Sequence, residues 1–83
     1  MNDPEFRKEV DATAARILES LGRLAPGRAE KTVWELKMEL KVSHTTLHLA
    51  LGMLMERGAL ALRPDKLTYA VTPQPSPQPA PQQ

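Results

Sequence analysis

The chain has 83 residues and no cysteine, is 41% hydrophobic but only 4% aromatic, and carries 11 basic against 10 acidic side chains for a formal net charge of +1. Length allows one domain with a small core, and the near-neutral balance excludes a histone-like, polyanion-coating role. Without cysteine there are no disulfides, thiolate zinc sites or thiol nucleophiles. No run approaches the roughly 18 apolar residues of a membrane span, and MNDPEFRKEV lacks the apolar stretch of a signal peptide. A cytoplasmic protein with no membrane partner is expected.

Asp3 before Pro4, with Glu5 next, reads as an N-cap, a first helical residue and a first-turn acid. Phe6, Val10, Ala14, Ile17, Leu18 and Leu21 then recur in steps that place them on one helical stripe. Gly22 and Ala25-Pro26-Gly27 end the pattern, so helix one spans 4–21.

Thr32 and Glu35 stand in the relation of a capping box, in which hydroxyl and carboxylate satisfy backbone donors reciprocally. Val33, Leu36 and Leu40 supply the apolar stripe of helix two. Lys41-Val42-Ser43 interrupts the period, Ser43 caps helix three, and Leu47, Ala50, Leu51 and Leu54 form its stripe up to Gly58. Gly52 lies mid-helix, where glycine costs up to about 1 kcal/mol relative to alanine. Its presence suggests close approach by another backbone.

After Gly58 the period falls to two: Leu60 and Leu62 alternate with alanines, and Leu67, Tyr69 and Val71 follow. Arg63-Pro64-Asp65-Lys66 between them suits a type I turn joining two strands. Ala29-Glu30-Lys31 is a candidate third strand beside that hairpin. From Thr72 the chain reads TPQPSPQPAPQQ, uncharged, with proline at every second position from 73 to 81. Such a segment lacks backbone donors and favours a solvated polyproline II conformation. The expected organisation is therefore one folded domain over 4–71 and a disordered Pro/Gln-rich tail over 72–83.

A three-residue turn between two helices, followed by a hairpin, describes a winged helix–turn–helix: mainly α (α+β), a three-helix bundle with a C-terminal two-stranded wing. Leu36-Lys37-Met38-Glu39-Leu40-Lys41-Val42-Ser43 and Leu49-Ala50-Leu51-Gly52 through Gly58 carry a resemblance. They resemble a family of small bacterial winged-helix proteins that read L-K-x-x-L-x-[LV]-S and then LALGxLxxxG, over about residues 14–71. The resemblance implies the fold strongly. It implies DNA binding and transcription regulation more weakly, since most members are uncharacterised and fold alone does not settle function.

In a DNA-binding winged helix the start of helix three enters the major groove. The candidate DNA-binding residues are Lys41, His44, Thr45, Thr46, His48, Arg63 and Lys66, with double-stranded DNA as partner. The outer face of helix three lacks the arginine, lysine, asparagine and glutamine that make the commonest base contacts. Residues 28–66 carry seven basic and five acidic side chains, against four and five in residues 1–27. The excess lies in the expected half, although a solvated mixed-charge surface gives the same counts.

His44 and His48 are spaced to chelate one zinc ion, but no HExxH glutamate or cysteine completes a tetrahedral site and carboxylates elsewhere could help only across a dimer, so no metal or other cofactor is expected. The four glycines are isolated and no nucleophile–base arrangement emerges, which argues against an enzyme or a small-molecule substrate. Trp34, Met38, Leu49 and Met53 lie partly outside the apolar stripes. They either complete the small core or form an exposed interface for a homodimer or protein partner. That interaction module is the alternative to DNA binding.

Overall fold

The computed structural model describes residues 3–66 and 68–74. Six elements follow in chain order: α1 (Pro4–Leu21), β1 (Lys31–Thr32), α2 (Val33–Leu40), α3 (His44–Glu56), β2 (Leu60–Asp65) and β3 (Thr68–Pro73). The result is an α+β domain of three helices and one antiparallel sheet, ordered β1-β3-β2.

Local chemistry sets the helix ends. Asp3 accepts the Glu5 backbone N–H at 2.9 Å, and Pro4 opens α1 without losing a hydrogen bond. Thr32 accepts the Glu35 backbone N–H at 3.0 Å while the Glu35 carboxylate accepts the Thr32 N–H at 2.9 Å, closing the capping box. Ser43 accepts the Thr46 N–H at 3.1 Å and starts α3. At the other end of α3, Gly58 takes a φ of 77°. Its N–H donates to Met55 O, and the Ala59 N–H to Leu54 O, the paired bonds of a Schellman stop.

The three helical stripes and the sheet close on one core. Val10, Ala14, Ile17 and Leu21 meet Val33, Leu36 and Leu40, then Leu47, Ala50, Leu51 and Leu54, with Leu60 and Val71 beneath. Leu18 lies off this stripe and is exposed. Each fully buried leucine or isoleucine contributes about 1.5–3 kcal/mol. Polar links fasten α1 to its neighbours: Arg16 donates to the Leu40 carbonyl at 3.0 Å, and Lys31 joins Ser20 and Glu39, both at 2.6 Å. Lys31 holds the Glu39 carboxyl below its ordinary pKa, against a smaller opposing effect of burial.

Four expectations need correction. The hairpin turn is not at Arg63–Lys66. Asp65 pairs with Thr68, so β2 runs through Pro64 and only residues 66 and 67 connect the strands. Proline is tolerated there because β2 is an edge strand, where a missing N–H breaks no second ladder. The sheet has three strands and not two: the candidate third strand beside the hairpin is present, but at Lys31–Thr32 and not 29–31, pairing with Val71 and Ala70. β3 continues to Pro73, which pairs with Leu60, and the Gln74 N–H donates to Ala59 O at 3.0 Å. Ordered chain thus extends past Val71, whereas the remainder of the expected tail, 75–83, and the strand expectation at Leu67 lie outside the described residues. Finally, among the described residues no element approaches Gly52, since a Cβ there would meet nothing within 4 Å.

Gly52→Ala should therefore stabilise the fold by up to about 1 kcal/mol, because the helical penalty of glycine is removed without a clash. Gly58→Ala should cost about 1–2 kcal/mol, since alanine must take the left-handed conformation. Urea denaturation of both variants checks the opposite signs.

The Arg28 guanidinium, hydrogen-bonded to Glu35, and then the Thr32 N–H lower the Glu35 pKa from 4.5 to about 2. A carboxyl depressed in the folded state stabilises fully above its unfolded value, and that contribution fades as pH falls through the folded one. Denaturation midpoints should drop between pH 4.5 and about 2, and Glu35→Gln should remove that part of the slope.

Candidate nucleic-acid interface

The Ser43 cap orients the first turn of α3 so that His44, Thr45, His48 and Leu49 face solvent while Leu47, Ala50 and Leu51 face the core. His48 Nδ1 lies 2.9 Å from the His44 carbonyl, and the two rings stand 4.2 Å apart, tilted by 38°. This fixes the pair as a small aromatic step at the head of the helix. No group of three or more metal-ligating side chains occurs among the described residues.

Beside this step the structure forms a recess of about 300 Å³ between the head of α3, the start of α2 and the hairpin. Trp34 and Lys37 come from α2, His44 and His48 from α3, and Thr68 and Tyr69 from β3. The pleat explains the sheet's contribution: Tyr69, Val71 and Leu62 share one face, with Val71 in the core and Tyr69 extending beyond it. A second recess, of about 510 Å³, adjoins the first through Val33, His48 and Tyr69 and reaches Gly52, Met55 and Leu62. Together they make one groove along α3, with no carboxylate in its lining.

Charges on the rest of the domain are arranged differently. Arg28 makes a two-pronged bond to Glu35, at 3.1 and 3.0 Å, and Lys31 pairs with Glu39. Arg63 pairs with Glu30. By contrast Lys37, Lys41 and Lys66 form no ion pair among the described residues. Lys41 and Lys66 also hold left-handed backbone, at φ 57° and 58°. That conformation costs a non-glycine residue roughly 1–2 kcal/mol. Lys41 ends α2 just before the α3 cap, and Lys66 sits at the hairpin tip next to Thr68.

Of the expected contact residues, Lys41, His44, Thr45, His48 and Lys66 are exposed. Thr46 is not: it is 1% exposed, and its hydroxyl accepts the Ser43 hydroxyl at 2.9 Å, inside the cap. Arg63 is exposed but turned away. It shares the opposite sheet face with Glu30 and Thr72, whereas Tyr69 faces the groove. Trp34, Met38 and Leu49 are 65%, 61% and 39% exposed, so they do not complete the core. Met53 differs, because it packs against the core in part. Lys37, one of the basic residues the sequence places before helix three, lines the recess, whereas the sequence reading missed Tyr69. The period-two alternation with Val71 pointed to Tyr69.

Lys41→Gly and Lys66→Gly should each stabilise the fold by about 0.5–1 kcal/mol, the relief of left-handed strain exceeding glycine's entropy cost. Thermal or urea denaturation of the two single variants tests this, and a loss of stability at either position would show that the lysine makes compensating contacts. No protein family, curated protein or solved structure matches the chain.

Proposed function

We propose that the chain is a winged helix–turn–helix protein that binds double-stranded DNA, with the head of α3 in the major groove and the β2–β3 hairpin as its wing. One observation carries the reading: Lys37 lines the recess at the α3 head, Lys41 ends α2 just before the α3 cap and Lys66 sits at the hairpin tip, none of them in an ion pair among the described residues, and the lining of that recess includes no carboxylate. Unpaired cations at these positions suit phosphates on either side of an inserted helix. The element order and the β1-β3-β2 sheet support the same layout. Strained backbone kept at Lys41 and Lys66 is consistent with a functional need for the side chains there.

Base reading through His44, Thr45, His48 and Leu49 is modest, because none supplies the bidentate contacts of arginine or asparagine. The protein then acts as a binding module without cofactor or catalysis, and its affinity is mostly electrostatic. With three phosphate contacts the log–log salt slope is about −3. Lys41→Glu or Lys66→Glu should weaken binding to all duplexes alike. Thr45→Ala should change sequence preference instead, and Arg63→Glu should matter least because Arg63 is held by Glu30. Anisotropy titration of a mixed-sequence duplex at low salt reads all of these, and absence of binding there overturns the proposal.

A second reading is an association surface, which the exposure of Trp34 and Met38 one turn apart on α2 favours. Sedimentation at rising concentration separates the two, since only that reading requires self-association or a protein partner.

A further inference from the structure

We propose that the groove between α3 and the hairpin is a docking surface for the chain's own proline-rich segment, residues 75–83. The groove and the segment are chemically complementary. Proline lacks a backbone N–H, so PSPQPAPQQ presents carbonyl acceptors with few main-chain donors. The groove offers donors and aromatic faces: the Trp34 indole N–H, the Tyr69 hydroxyl, the Lys37 ammonium and the imidazoles of His44 and His48. No carboxylate lines it to compete as an acceptor. Aromatic-lined grooves take polyproline II segments because ring faces pack against proline and indole or phenol donors reach the exposed carbonyls.

Geometry brings the segment to this surface. Gln74 is anchored by its N–H to Ala59 O, beside the C-terminal end of α3, where the groove opens at Met55 and Leu62. Tyr69 lies five residues back along β3, about 17 Å at strand rise. Nine residues follow Gln74. If three reverse the chain direction, the other six span about 19 Å as polyproline II, enough to reach Tyr69, which lines both recesses.

The groove overlaps the surface assigned above to DNA, so a duplex would displace the docked segment. Docking itself does not depend on the DNA reading. The chain has no cysteine, so Ala80→Cys in the full-length protein accepts a single nitroxide label. Docking predicts selective loss of NMR signal at the Trp34 indole and at the amides of His48, Gly52 and Tyr69. It also predicts that Tyr69→Ala restores those signals while the spectrum stays dispersed.

Signal loss confined to the surroundings of Ala59, or spread over the Lys31–Glu39 face, overturns the proposal. A further sample mixes labelled chains with isotopically visible unlabelled ones. Signal loss at the groove of the unlabelled chain would assign the occupant to a second copy and overturn docking within one chain. Adding duplex to the labelled protein separates the two proposals. Recovery of the groove signals supports the shared surface, and persistent loss with no duplex bound overturns the DNA reading while leaving docking intact.

Discussion

Thr32 belongs to two structures at once, and the placement of the candidate site depends on that. It is the last residue of β1, paired with Ala70 of the central strand, and it is the N-cap of α2. The capping box closes through Glu35, which Arg28 grips with two hydrogen bonds. With no residue between strand and helix, α2 leaves the sheet at a fixed angle. Val33 is then set into the core and Trp34 out beside Tyr69. A cap is worth about 1 kcal/mol in stability. Here it also sets the width of the groove, because a slack joint would let α2 swing away from the hairpin.

The same joint sorts the charges. Arg28, Lys31, Glu35 and Glu39 lie around one side of α2 and neutralise each other there. Lys37 lies on another side, beside the histidine step, where no carboxylate lines the recess. A net charge of +1 conceals this division. Exposed pairs such as these contribute little to stability individually. Their larger consequence is that Arg28 and Lys31 are neutralised where they stand, while Lys37 beside the α3 head is not paired among the described residues.

Much of the architecture was legible from short-range chemistry. The caps at Asp3, Thr32 and Ser43 and the stop at Gly58 act within four residues, so the sequence displays them directly. Helical periods identified the core positions for the same reason. The turn was misplaced because Pro64 and Asp65 carry strong turn preferences, whereas strand pairing across β3 decided the register and carried β2 through Asp65. Thr46 was misjudged because its hydroxyl joins the Ser43 cap, a choice that helical spacing alone does not reveal. Arg63 looked like a wing cation until the sheet brought Glu30 to it from 33 residues away. Long-range pairing of this kind is what a sequence read locally leaves out. The groove was hidden likewise, since its walls come from α2, α3 and β3.

We propose that Lys37, Lys41 and Lys66 make the head of α3 and the hairpin tip the surface that meets DNA. Amide chemical-shift mapping with a mixed-sequence duplex at low salt tests it most directly. The account predicts that perturbations gather at Lys41, His44, Thr45, His48, Lys66 and Thr68, and spare α1 and the Arg28–Glu39 side of α2. Perturbations centred on α1 or on that ion-paired side, or none at all at saturating duplex, would contradict it.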